Sequence, residues 1–208
     1  GGRPLSPEQM RVLADVADTF GAGDVRLTVW QNVLIPFVPD AQVSAACAAI
    51  EAAGMSVRAS AFAAGAVACT GKWGCKFAAA YTKQDALDLV RHLEARFTLD
   101  APINIHLTGC ANSCAQHYIG DIGLVGAAAP GGGEGYNIVL GGGSDQDQGL
   151  ARPLCGPVAA AEIHGIIEHV IGAYLARRAP DQTFLSFVRT LGDDDLKTLL
   201  PQELTQAA

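Results

Sequence analysis

Apolar and polar positions along the first 58 residues follow helical and strand spacings in turn. Ser6 and Gln9 form a capping box around Pro7 at the first helical position, which predicts the start of a helix. In order, the pattern predicts this helix ending at Gly21, a strand over 25–35, a helix capped by Asp40 and ended by Gly54, and a short strand over 55–58. These elements indicate one compact βα unit.

The remaining residues combine clear periodic segments with loops rich in Ala, Gly and Cys. The pattern predicts a helix over 84–97, strands at 103–107, 122–125 and 136–140, a helix after Pro157 with its apolar stripe over 163–174, and two short helical turns on the surface over 181–200. Glycine runs at 131–133 and 141–143 predict turns, since neither opens a helix with phosphate-loop spacing.

These elements predict an α+β fold in two parts. Residues 1–58 correspond to about half of a ferredoxin-like split unit, and we assign them to a ferredoxin-like half-domain. Residues 59–208 form a mixed α/β domain with a C-terminal helical tail. The first residues lack a Met and resemble mid-chain sequence, so we expect a segment upstream.

Composition narrows the possible partners. Half of the 208 residues are hydrophobic and 17% are charged, which is typical of a folded chain. The formal net charge of -7 argues against nucleic acid, because phosphate backbones are bound through Lys and Arg. No apolar run approaches the roughly 20 residues of a membrane span, and the start lacks a signal peptide's apolar segment. The sequence therefore predicts a cytoplasmic protein.

The six cysteines divide by their surroundings. Cys47 lies in a helical apolar stripe and Cys155 next to a Gly-Pro pair before a helix, so both are interpreted as structural. The other four form two close pairs in Gly-rich loops, Cys69-x5-Cys75 and Cys110-x3-Cys114. One thiolate for each iron of a 4Fe-4S cluster, with small residues that let the backbone approach, accounts for this pattern.

Zinc, disulfides and core packing stay open as alternative roles for the four cysteines on spacing alone. Structural zinc also binds four thiolates, although a gap of five residues exceeds its usual ligand spacing. Disulfides are disfavoured in a reducing compartment. Unrelated core cysteines would be expected in apolar stripes, whereas these lie in loops.

Several segments resemble one enzyme family. They are Ala68-Cys69-Thr70-Gly71-x3-Cys75, Thr108-Gly109-Cys110-x-Asn112-Ser113-Cys114, Asp121-Ile122-Gly123, the strand segment 26–32 and the tail segment 184–189. Together they resemble the second of the two pseudo-symmetric halves of the assimilatory nitrite and sulfite reductases. The resemblance implies a sirohaem and 4Fe-4S cluster-binding domain after the ferredoxin-like half-unit, with metal ligands Cys69, Cys75, Cys110 and Cys114.

The resemblance also implies an activity. Cys114 would bridge one cluster iron to the sirohaem iron, and single electrons from ferredoxin or another one-electron donor would reduce nitrite to ammonia in six steps. The Cys-x-Asn-Ser-Cys form resembles nitrite reductases, with sulfite reduction to sulfide as the alternative. A precorrin-3B synthase-like oxygenase and, outside enzymes, a zinc-stabilised binding module are further alternatives.

The resemblance implies few substrate-binding residues in this chain. In that family the Arg and Lys residues that bind the anionic substrate lie mostly in the other half, so catalytic residues are not assigned here and an N-terminal half is an expected partner. Asn112, between two ligands, is expected to face the cofactor, and Ala111 replaces a common Pro. Lys72, Lys76 and Lys83 surround the first cysteine loop and fit either propionate binding, donor guidance or ordinary solvation.

Overall fold

The structure is a computed structural model that describes residues 4–144 and 146–205. These residues form two compact units that divide between Ser60 and Ala61. The assignment of 1–58 and 59–208 to functional domains stays a prediction. No helix in the described ranges is long and apolar enough to cross a bilayer.

The first unit packs two helices beside a small hairpin. Its elements are α1 (Pro7–Phe20), β1 (Arg26–Leu27), β2 (Val33–Leu34) and α2 (Asp40–Ala52). The capping box is confirmed, because Gln9 N–H donates to Ser6 Oγ at 3.2 Å and Ser6 N–H to Gln9 Oε1 at 3.0 Å. Leu13 and Val16 of α1 are buried in this unit's core.

Two strand predictions for this unit are wrong. The segment 25–35 is a hairpin of two-residue strands, because the Thr28 hydroxyl and carbonyl accept the N–H groups of Asn32 and Gln31 and turn the chain. Residues 55–58 are not a strand, since the Ser56 hydroxyl bonds the backbone of Arg58. In both places a short polar side chain competes with strand pairing.

The second unit is built on a five-stranded sheet. Its elements are α3 (Ala61–Gly65), β3 (Ala66–Ala68), α4 (Thr82–Glu94), β4 (Ile105–Thr108), β5 (Ile122–Ala128), β6 (Glu134–Leu140), β7 (Arg152–Ala159), α5 (Ile163–Arg177), α6 (Phe184–Thr190), α7 (Asp193–Lys197) and α8 (Gln202–Thr205). The strand order is β3-β4-β5-β6-β7, with β3, β4 and β5 parallel and the others antiparallel. Parallel strands thus lie at one side of the sheet.

One face of the sheet carries the core. Strand residues such as Ile105 and Leu107 pack with Leu89 and Leu93 of α4 and with the apolar stripe of α5. The alternate residues of β4, His106 and Thr108, are also fully buried but belong to the other face. Strand β4 is therefore covered on both faces.

Two strands, β3 and β7, were not predicted from the sequence. β3 has only three residues and no visible alternation. β7 contains Pro153 and Pro157, which have no backbone N–H to donate to a neighbouring strand and therefore fit only at the edge of the sheet, where β7 lies.

The two predicted helical turns of the tail are confirmed as α6 and α7, but their predicted location on the surface is wrong. They do not merely cover the surface, because Phe187 of α6 and Leu196 of α7 are buried in the main core.

Candidate metal centre

The two cysteine pairs lie in loops that follow neighbouring parallel strands. Cys69 comes directly after β3, and Cys110 comes two residues after β4. Ala68 is in register with Leu107, so the two loops leave the same edge of the sheet. Cys69 N–H donates to the Leu107 carbonyl at 3.1 Å, which extends this pairing into the first loop.

The first loop turns sharply between Cys69 and Cys75. Gly71 has a φ of +63°, and a Cβ at this position would lie 2.6 Å from Thr82 Oγ1. Gly71–Trp73 form one turn of 3₁₀ helix, after which Cys75 N–H donates to the Gly71 carbonyl at 3.0 Å. Glycine is required here both for the left-handed backbone and for the close approach of α4.

Gly109 connects the two loops. Its N–H donates to Cys69 Sγ at 3.1 Å, and its carbonyl accepts the N–H of Ala79 at 2.7 Å. A Cβ on Gly109 would lie 2.7 Å from the Cβ of Ala78, and one on Gly126 would lie 2.4 Å from the Gly109 carbonyl oxygen. The structure therefore brings the first loop directly against the residue that precedes Cys110.

The second loop folds back over β4. Ser113 and Gln116 have φ near +57° and +56°, and the Gln116 carbonyl accepts a hydrogen bond from His106 Nδ1 at 3.0 Å. Cys69, Cys75 and Cys110 are partly buried, whereas Cys114 is exposed. Asn112 is exposed as well. Cys114 is thus the most exposed of the four cysteines.

The described residues contain no group of three or more His, Cys, Asp or Glu side chains placed to hold a single metal ion. A zinc ion would gather its thiolates about 2.3 Å from one centre. A 4Fe-4S cluster instead gives each thiolate its own iron, so its ligand sulfurs stand at separate corners. The four-cysteine ligand set stays a prediction.

The residues around the two loops fit an iron–sulfur cluster. Four thiols are the donor set that such a cluster takes, and Gly109 N–H already donates to the sulfur of Cys69. Thr108 Oγ1 is buried without a hydrogen-bond partner at the end of β4, so one buried donor is left for a group bound there. The small residues of both loops allow such a group to approach the backbone closely.

Two buried histidines beneath the second loop were missed from the sequence. Burial lowers the pKa of His106, and burial together with neighbouring His106 lowers the pKa of His117. Both rings are therefore neutral at pH 7, and the Nδ1 atom of His117 is buried without a hydrogen-bond partner. Only the position of His117, three residues after Cys114, could have drawn attention to it.

Asp121 lies in the motif that follows the second loop, and burial disfavours the ionised form of its carboxyl. Burial raises the pKa of its carboxyl from 3.8 to about 6, although Asn104 N–H donates to Oδ2 at 2.8 Å and the charge of Arg189 opposes the rise. Folding must therefore keep an ionised carboxylate in a poorly solvated place at neutral pH.

We expect Asp121→Asn to stabilise the chain at pH 7.5. The pKa difference corresponds to at most about 3 kcal/mol of unfolding free energy, because a raised carboxyl pKa costs stability above the folded value. The gain should shrink between pH 6 and 3.8 and vanish below, where both states of Asp121 are protonated. Urea unfolding across this range measures it; a pH-independent gain would contradict the electrostatic cause.

An aromatic and basic patch covers the outside of the first loop; we define it as Lys72, Trp73, Lys76, Phe77 and Tyr81. Trp73 and Phe77 are 74% and 64% exposed. Trp73 and Tyr81 meet edge to face at 5.9 Å, and the Lys76 ammonium lies 5.1 Å from the Phe77 ring centre. Lys72 pairs with Glu134 at 2.9 Å, which leaves Lys76 as the patch's outward charge.

Comparisons with known proteins agree with the two-part architecture. Residues 1–53 match the model of the nitrite/sulfite reductase ferredoxin-like half domain, and residues 54–206 match the nitrite and sulphite reductase 4Fe-4S domain. The second match covers most of the chain.

Some of the similar proteins are named as nitrite reductases and others as sulfite reductases. The ferredoxin–nitrite reductase of Synechococcus elongatus is 39% identical over 80% of this chain and 33% of its own length. Sulfite reductase (ferredoxin) 1 of Mycolicibacterium paratuberculosis is 33% identical over 93% of this chain and 37% of its own. The structure of the Mycobacterium tuberculosis NirA protein superposes with a TM-score of 0.84 at 32% identity, over 92% of this chain and 37% of that one. The chain thus spans about a third of the relatives' length.

Proposed function

This chain belongs to the nitrite and sulfite reductase family, and on that premise we propose that it is the cofactor-binding part of an enzyme that reduces nitrite to ammonia. The predicted family, the α+β fold class and the family's cofactors, a 4Fe-4S cluster and sirohaem, are confirmed by the matches. We assign residues 59–208 to cofactor binding and 1–58 to the ferredoxin-like half-domain.

We infer that Cys69, Cys75, Cys110 and Cys114 hold the cluster. The observation that carries this proposal is the contact between the two loops, in which Gly109 N–H donates to Cys69 Sγ at 3.1 Å. Cys114 is the one exposed residue of the four cysteines, which supports its role as the bridge to sirohaem. Exposed Asn112 lies beside it and is proposed to contact the macrocycle.

When bound, the cluster and sirohaem supply single electrons and an iron site for the anion. The chain's own residues fix the sulfur positions, donate hydrogen bonds to them and exclude water from one side through the buried face of β4. Each of these effects tunes an iron–sulfur potential. The Arg and Lys residues that bind the substrate are proposed to lie in the other half of the enzyme.

Nitrite is proposed over sulfite on the form of the second loop. Cys110-Ala111-Asn112-Ser113-Cys114 has Asn-Ser where sulfite enzymes are expected to have Asn-Gly. Relatives with either substrate in their names resemble the chain, so sulfite is the competing substrate.

Metal analysis and turnover test the proposal. The chain reconstituted with iron, sulfide and sirohaem should hold iron and acid-labile sulfide and show the visible spectrum of both groups. The complete enzyme should then oxidise a reduced ferredoxin faster with nitrite than with sulfite. A colourless chain with stoichiometric zinc would overturn the cofactor proposal, and faster turnover of sulfite would overturn the substrate.

The aromatic and basic patch supports an acidic one-electron donor as partner. It is positive within a chain of net charge -7, and it covers the loop that carries Cys69 and Cys75. An electron carrier docked there would lie next to the cluster loop. Exposed rings and Lys76 supply the apolar contact and the charge that such an interface uses.

Charge reversal at Lys76 tests this docking. We expect Lys76→Glu to raise the KM for ferredoxin by roughly tenfold at low salt, with the effect fading as salt is added. Lys197→Glu in α7 makes the same charge change at another exposed position and serves as the control. Equal effects of the two variants would show that only net charge matters.

The first unit is proposed to pair with a matching half of the enzyme. Its hairpin has only two short strands, and two strands alone are marginally stable in water. Leu27, Val29 and Phe37 are 83%, 78% and 67% exposed around it. An N-terminal half that completes the sheet would cover this apolar surface.

A further inference from the structure

The first residue of α4 is in contact with Cys69. Thr82 is fully buried, and its hydroxyl donates to the Cys69 carbonyl at 2.8 Å. The same oxygen lies 3.6 Å from Cys69 Sγ, within the distance of a hydrogen bond to sulfur. Gly71 leaves the space for it, because a Cβ there would lie 2.6 Å from Thr82 Oγ1.

The Thr82 hydroxyl is the second hydrogen-bonding group beside the Cys69 sulfur. Gly109 N–H already donates to Sγ from the opposite loop at 3.1 Å. A free thiol can donate its own proton to Thr82 Oγ1, but a metal-bound thiolate can only accept. The hydroxyl hydrogen, which rotates freely about the C–O bond, can then turn from the Cys69 carbonyl toward the sulfur.

The start of α4 strengthens this effect. A helix N-terminus has unpaired N–H groups and a positive dipole end, which favour negative charge nearby. α4 has 13 residues and begins at Thr82 itself. Reduction adds one electron to a cluster, so donors and dipoles beside its sulfurs favour the reduced state.

We propose that Thr82 is a positioning residue that raises the reduction potential of the cluster by donating its hydroxyl hydrogen to the Cys69 sulfur once that sulfur is a metal-bound thiolate. This inference rests on the proposed function, since it needs a cluster at Cys69. Nothing in the spacing of the cysteines points to Thr82, which lies 13 residues from Cys69.

Two variants separate the hydroxyl from the shape of the side chain. Thr82→Val keeps the branched shape and removes the donor, whereas Thr82→Ser keeps the donor. We expect Thr82→Val to shift the midpoint potential, measured by spectroscopic redox titration, to a more negative value. Thr82→Ser should stay at the wild-type potential. Thr190→Val, which removes a hydroxyl that donates to the Phe187 carbonyl at 2.7 Å in α6, should leave the potential unchanged.

Each outcome decides between the proposals. A Thr82→Val chain with full iron content and the wild-type potential overturns the inference, as does a Thr82→Ser chain that shifts as far as valine. If Thr82→Val takes up no iron, recovery of iron and potential in Thr82→Ser supports the hydroxyl's role, and failure of that variant refutes it. A wild-type chain that takes up no iron overturns the proposed function and this inference with it.

Discussion

Replacing Cys114 by serine should abolish the nitrite reduction that we propose for the complete enzyme, while leaving this chain folded. A serine oxygen is a hard ligand, whereas iron–sulfur sites select soft thiolates, so the sulfur that we propose as the link between cluster and sirohaem would be lost. Activity should fall by more than about 100-fold, the upper end of what loss of a mere supporting group around a metal costs. Circular dichroism should stay unchanged, because Cys114 is exposed and outside the core.

The visible and electron paramagnetic resonance spectra of the Cys114→Ser chain show which link fails. We expect sirohaem and cluster signals to lose their magnetic coupling, with sirohaem bound more weakly. Cys47→Ser is the control, since Cys47 lies in α2 of the first unit and is partly buried there. A Cys114→Ser enzyme with wild-type coupling and turnover would exclude Cys114 as the bridge.

The helices were predictable from the sequence because their burial is regular. In α5 the apolar stripe from Ile163 to Tyr174 repeats at helical spacing, and each of its members is buried. α1 was equally clear, since its capping box and Pro7 are local signals. These features need no knowledge of distant residues.

The strands around the site were harder to predict because their pairing is not local. β3 consists of Ala66, Val67 and Ala68, too short for an alternating pattern to stand out. β7 contains two prolines, and in the described sheet it is an edge strand that pairs with β6. The parallel pairing of β3 with β4, which brings the cysteine loops to one edge, was therefore invisible in the sequence.

In the candidate site, too, the local features were predictable from the sequence and the contacts between distant residues were not. Spacing within each loop predicts the four-cysteine ligand set, which stays a prediction, and it singled out Gly71 and Gly109, which the structure shows in close-packed positions. The contacts of Cys69 with Gly109 and Thr82 join residues 40 and 13 positions apart, and no periodic pattern encodes them. The hydrogen bond at 2.5 Å from the hydroxyl of buried Tyr136 in β6 to the carboxylate of half-buried Asp85 in α4 was missed for the same reason.

The substitution Gly109→Ala is the second change for which we expect a large effect. Gly109→Ala should separate the two cysteine loops, because its Cβ would lie 2.7 Å from the Cβ of Ala78 and 3.6 Å from Cys69 Sγ. Ala78 and Gly126 both lie in close contact with Gly109, so the backbone has little room to shift. Overpacking of this kind costs about 1–3 kcal/mol of unfolding free energy.

The larger consequence of Gly109→Ala is for cofactor binding, since a shift of the backbone would weaken the N–H donation to Cys69 and displace Cys110. We expect iron and acid-labile sulfide per chain to fall severalfold after reconstitution, together with a lower midpoint of thermal unfolding. Gly165→Ala is the matched control, because its Cβ would meet nothing within 4 Å in helix α5. There the added methyl should gain up to about 1 kcal/mol of helix stability. A Gly109→Ala chain that holds as much iron as Gly165→Ala would show that the loops do not need this close approach to bind the cluster.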